Sequence, residues 1–264
     1  MCNSAHFSRI APIFHGKQAP EEGCIVGYSA VIDRLKLPVP IPRTISLVCK
    51  QNKSYHKDGW KVFPKAYLPE DTSKSTEIEA LYRHLVFALK YEGINLLVFC
   101  YLTRHYKNEY LAKLVSIEPT GQYSRRIWFL IEWITGRELD YNTDLRKKRY
   151  VDAVDTKIQY AVSGKKSPRH LVINNLPGTP GFCPLIHKTD KLESFLNDDY
   201  SEQKSKYLNS IHKEILQRAS AFLLLKDSKA SFTIEGESPK SKRAARWGRA
   251  IGQAGTRELT KEEL

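Results

Sequence analysis

Two proline-rich tracts limit what this chain can fold into. Leu37-Pro-Val-Pro-Ile-Pro42 places a proline at every second position. Each proline lacks an amide hydrogen and fixes φ at about −65°, so the tract is barred from helix and favours polyproline II. The second tract, Leu176-Pro-Gly-Thr-Pro-Gly-Phe-Cys-Pro184, holds three prolines and two glycines in nine residues. It reads as a rigid loop. A connector is the plain reading and a binding loop the alternative. Residues 1–43 accordingly read as an extended, Pro-rich arm.

Between the tracts the pattern is mixed, then helical. Thr44-Ile-Ser-Leu-Val-Cys49 has the β-branched look of a strand, Asp58-Gly59 is a turn signal, and Lys61-Val-Phe63 returns as a second strand of a small hairpin. Thr76 or Ser75 caps a helix with Glu77 and Glu79 in its first turn; Leu81, Leu85, Ala88 and Leu89 share one face. Gly93 interrupts. A second helix is expected over 94–116, a third over 123–135 closed by Gly136, and another over 142–162. Leu171-Val-Ile173 reads as a short strand. Residues 202–233 read as one long amphipathic helix or two, with Tyr207, Ile211, Ile215, Ala219 and Phe222 near one face. The expected class is mainly α, with a small β or irregular N-terminal part. The expected divisions are an arm (1–43), a mixed helical domain (44–170), the loop and a helix (171–236), and the start of a further core (237–264).

Composition narrows the function. The 264 residues are 41% hydrophobic and 27% charged, a foldable balance. The net charge of +13 suits nucleic acid, nucleotide phosphates or an acidic partner, and equally suits plain solubility. Basic runs occur at Arg146-Lys147-Lys148-Arg149, Lys165-Lys166 and from Lys240 to Arg249. Neither zinc-finger spacing nor an RNP-type aromatic motif accompanies them. The most apolar run, Ile94 to Leu102, is nine residues against the ~20 that a membrane span needs. No apolar signal segment opens the chain, so no membrane partner is expected. The five cysteines are odd in number, far apart and without a C-x-x-C pair. That spacing argues against a disulfide framework and a zinc site, and makes a reducing cytoplasm the expected home. Asp198-Asp199 has no third ligand at metal spacing, and no P-loop or G-x-G-x-x-G is present. His84, His105, Trp128 and Trp133 read as packing or surface residues.

One short motif carries more. At the end of the last expected helix the sequence reads Ser231-Phe232-Thr233-Ile234-Glu235-Gly236. It continues through Glu237-Ser-Pro239, Arg243-Ala-Ala-Arg246-Trp247, Ala250-Ile251 and Ala254-Gly255. The motif resembles the inhibitory pattern of Fic-family AMP-transferases, in which Ser or Thr is followed, after three intervening residues, by Glu and then Gly or Asn. The flanking run is similar to the stretch after the inhibitory helix in long bacterial members. The likeness covers residues 171–264; residues 1–170 resemble the family only as a helical N-terminal region. It implies that Glu235 pairs with a catalytic-motif arginine that otherwise holds the γ-phosphate of ATP, with Ser231 one turn earlier on the same face and Gly236 as the helix stop. A carboxylate fits that role because it accepts a bidentate guanidinium as a phosphate does.

The family's catalytic signature is a histidine, an acid, Gly-Asn-Gly-Arg and a second arginine. None of His6, His15, His56, His84, His105, His170, His187 and His212 is followed by a Gly-x-Gly-Arg loop. The resemblance therefore implies a regulatory N-terminal part with no catalytic residue, metal or cofactor site in this chain; ATP and magnesium belong to the intact enzyme. Its expected partner is the Fic catalytic core in cis, or a separate Fic protein in trans as an antitoxin-like inhibitor. Thr260-Lys-Glu-Glu263 reads as a capping box that opens a helix at the chain's end, suggesting truncation. A basic nucleic-acid-binding module is the reading from another class. On the residues alone, Glu235 is equally an exposed helix-end acid, worth ~0–1 kcal/mol in a surface pair.

Overall fold

The computed structural model describes residues 11–69, 76–146, 148–197, 200–210 and 213–234, together with Gly236 and Arg246. The chain forms two compact units, Met1–Thr189 and Asp190–Leu264.

The first unit begins with a hairpin of β1 (Ile13–Phe14) and β2 (Lys17–Gln18). A four-stranded sheet follows in the order β3-β4-β6-β5: β3 (Cys24–Val26), β4 (Ile45–Val48), β5 (Tyr55–Lys57) and β6 (Trp60–Phe63). β5 and β6 form the hairpin around Asp58 (φ +50°) and Gly59 (φ +83°). Two positive φ values are what a type I′ turn demands, and Asp-Gly meets that demand at low cost. β4 lies parallel to β6, so it is their neighbour in the sheet and not the hairpin's other arm. Alternation sends Ile45, Leu47, Trp60 and Val62 into the main core, and Val48 and Phe63 into a smaller cluster with Phe87.

β3 runs straight into α1 (Gly27–Leu35). Then come α2 (Glu77–Tyr91), α3 (Leu96–His105), α4 (Asn108–Val115) and α5 (Gln122–Thr135). α2 opens on a capping box: Glu79 N donates to Thr76 Oγ1 and Thr76 N to Glu79 Oε2 (2.8 Å). Asn95 caps α3, and α5 ends at Gly136 in the left-handed conformation. These helices bury Tyr82, Phe99 and Trp128 with Trp60 in one core, against which Trp133 is packed. A three-stranded sheet, β7 (Val151–Asp152), β9 (Val172–Asn174) and β8 (Lys165–Ser167), lies against α5. Two buried arginines of α5 fasten the adjoining segments: Arg125 Nη1 donates to the carbonyls of Arg149 and Leu171, and Arg126 Nε to that of Ala153.

The second unit holds α6 (Asp190–Asn197), α7 (Tyr200–Asn209) and α8 (Lys213–Ile234). No helix among the described residues is long and apolar enough to cross a membrane.

The mainly α class expected from sequence is corrected by these strands: among the described residues eight helices stand beside three small sheets, a mixed α/β protein. The described residues of 142–162 carry no helix. There Asn142, Asp144 and Asp155 accept from the amides of Thr143, Arg146 and Lys157, local bonds that compete with helical ones. The helix expected over 94–116 is two, parted at Tyr106 and Lys107. Within residues 1–43, β3 and α1 are ordered parts of the core. Cys24 is disulfide-bonded, against the reading drawn from cysteine spacing, whereas Cys49, Cys100 and Cys183 are free.

Candidate functional site at the end of α8

The Ser231 motif straddles the end of α8. Residues Ser231 to Ile234 form its final turn. Gly236 follows with φ +74°, a left-handed helix stop, and its amide donates to Thr233 O at 3.1 Å. Ser231 and Thr233 are exposed while Phe232 between them is buried. Thr233 Oγ1 bonds back to Lys229 O at 2.9 Å. Glu235 lies outside the described residues, as do Asp198-Asp199, His212 and the Thr260 capping box.

Two polar clusters in the first unit were not legible in the sequence. Glu132 of α5 is buried and saturated. Its Oε1 accepts from Trp128 Nε1 (2.6 Å), Leu139 N (2.9 Å) and Arg169 Nη2 (3.1 Å); its Oε2 accepts from Arg169 Nε (3.0 Å) and faces His170 Nε2 (2.9 Å). Burial alone would raise this carboxyl, but the Arg169 guanidinium, the Leu139 amide, Trp128 and His170 together hold it below the usual carboxylate range. Burial lowers His170 in spite of Glu132. Ser167 Oγ sits 2.8 Å from His170 Nδ1, completing a serine–histidine–glutamate line. Ser167 and His170 belong to one tight turn between β8 and β9, and both Glu132 oxygens are already taken. The cluster is a strut that ties this turn to α5 through Arg169 and His170.

The second cluster surrounds Glu92, just past α2. Glu92 Oε2 accepts from Tyr28 N at 2.9 Å, so the carboxylate caps the first turn of α1 from across the fold. Gly27, with φ +67°, permits this approach: a Cβ there would collide with Glu92 Oε1. Glu92 is half-buried, but its Oε1 is enclosed, with the buried Ser46 hydroxyl among its neighbours. Burial pushes this carboxyl up to about 7, opposed by Ser46, the Tyr28 amide and Lys61. The next residues are pinned as well. Tyr28 Oη donates to Gly93 O at 2.9 Å, and the Gln159 amide brackets Ile94, accepting from its N (2.8 Å) and donating to its O (3.0 Å). Contacts such as Tyr28–Glu92 and Gln159–Ile94 span more than sixty residues of sequence, beyond the reach of any local pattern. No group of three or more metal-ligating side chains occurs among the described residues.

Set against protein-family models, curated proteins and solved structures, the chain matches none of them.

Proposed function

We propose that this chain is the regulatory part of a Fic-type protein AMP-transferase and restrains that enzyme through Glu235. The observation that supports this reading is the position of the motif: Ser231 to Ile234 form the last turn of α8, and Gly236, two residues further on, is left-handed. A carboxylate in such a motif is chemically suited to engage one guanidinium in bidentate fashion. In this reading the paired arginine is withheld from the γ-phosphate, and ATP is not held for reaction. When released, the enzyme joins a protein hydroxyl oxygen to the α-phosphorus of magnesium-bound ATP, and pyrophosphate departs. The residues for that step belong to the catalytic core that Glu235 restrains. No histidine of this chain is followed by the anion-binding Gly-x-Gly-Arg loop.

The test is the coding DNA beyond the codon for Leu264. A frame continuing into a histidine and Gly-Asn-Gly-Arg segment is expected, and the polypeptide it encodes should transfer label from α-labelled ATP to itself. A stop codon with no such segment overturns regulation in cis.

A further inference from the structure

The proline-rich loop 176–184 opens a segment with an unusual outer face. Thr179 and Phe182 exchange two backbone bonds, 2.9 and 3.0 Å, across Pro180-Gly181. The chain beyond them runs extended beside residues 158–160: Tyr160 N donates to Ile186 O (2.9 Å), Lys188 N to Ile158 O (2.8 Å), and Gln159 faces His187. Successive residues then alternate sides. Cys183 and Leu185 pack against the core, and His187 Nε2 lies 2.7 Å from Glu92 O. Phe182, Pro184 and Ile186 face outward.

A strand with one covered face ordinarily carries polar residues on the other. Here Phe182 is 76% exposed, Ile186 53%, and Val162 on the adjoining segment 52%. The anchors at Gln159 and His187 hold this apolar stripe in place, so an incoming partner would need to order little of it. Its charge is one-sided too. Between Asp155 and Asp190 the sequence has four lysines (Lys157, Lys165, Lys166, Lys188) and no aspartate or glutamate; the remaining cation, Arg169, is paired with Glu132. Lys188 Nζ lies over the Tyr160 ring at 5.1 Å, and Lys157, Lys165 and Lys166 are exposed.

We propose that Phe182, Ile186 and Val162 form a docking surface for an acidic, apolar-bearing segment of a partner protein. The apolar stripe selects the partner's leucine- or phenylalanine-like side chains; the exposed lysines beside it select its carboxylates and speed encounter. Aliphatic groups on the stripe favour protein over nucleic acid, which such a surface would grip through phosphates and stacked rings. This surface is independent of the Ser231 motif.

The test is fluorescence anisotropy with the whole chain and three labelled probes. Two are short peptides of equal negative charge, one with leucine and phenylalanine between its glutamates and one with serine there; the third is a poly(dT) oligonucleotide. The leucine–phenylalanine peptide is expected to bind at least about tenfold more tightly than the serine peptide. Phe182→Ser combined with Ile186→Ser should weaken it by about tenfold with the thermal unfolding midpoint unchanged, since both side chains are exposed; Lys165→Glu should weaken it as well. Equal binding of the two peptides, preference for the oligonucleotide, an unaffected double variant, or no peptide binding each overturns the proposal.

Discussion

Replacing Glu92 with glutamine removes a charge that the fold keeps from water beside the first turn of α1. Burial is the largest influence on this carboxyl and raises it from 4.5 to about 7. In the unfolded chain the group ionises near its ordinary value. Between about pH 4.5 and about pH 7, therefore, the unfolded state has lost a proton that the folded state still holds. A pKa raised by folding gives stability that is complete below the lower value and is lost as pH rises through the upper one. At about 1.4 kcal/mol for each pH unit, the gap between 4.5 and about 7 amounts to about 3 kcal/mol. Glutamine keeps a carbonyl oxygen for the Tyr28 amide and never ionises. The stability of Glu92→Gln relative to the unaltered chain is thus expected to climb by about 3 kcal/mol across that interval and to level off above it. Urea unfolding, followed through the buried Trp60 and Trp128, measures the difference at each pH. A difference that stays constant from pH 4.5 to 7 refutes the claim that the fold desolvates this carboxylate.

Glu132→Ala strands the Trp128 and Leu139 N–H groups and His170 in the interior and frees Arg169. We expect a loss of about 3–5 kcal/mol in urea unfolding, and a smaller one for Glu132→Gln, which retains an acceptor. Gly27→Ala meets both a left-handed φ of +67° and the Glu92 carboxylate; it should cost about 2 kcal/mol or more, seen as a lowered thermal midpoint. Adding Glu92→Ala should recover the steric share of that loss and leave the backbone share of roughly 1 kcal/mol.

Local chemistry was legible wherever it was self-contained. Thr76 and Glu79 announce the start of α2, Asp58-Gly59 its hairpin, and Gly136 the end of α5, because each acts on atoms a few residues away. The strand read at Leu171-Val-Ile173 is present as β9, but its partners β7 and β8 have two and three residues, too few for alternation to register. The gap between α3 and α4 carries neither glycine nor proline, so no breaker marks it. Nothing local marks Glu132 or Glu92; their roles come from Arg169 and Tyr28, brought in by topology. At the candidate site, the helix under Ser231 and the stop at Gly236 followed from periodicity and glycine chemistry. The mixed class was missed because short strands spread through the chain were read as irregular or helical segments.

The most direct test of the proposed regulatory reading is AMP incorporation from α-labelled ATP by a polypeptide that joins this chain to a Gly-Asn-Gly-Arg segment encoded in frame beyond Leu264, with and without Glu235→Gly. If Glu235 occupies the arginine that should hold the γ-phosphate, its removal raises incorporation by at least about tenfold, the equivalent of about 1.4 kcal/mol. Incorporation that is unchanged or lower in the Glu235→Gly protein contradicts the account.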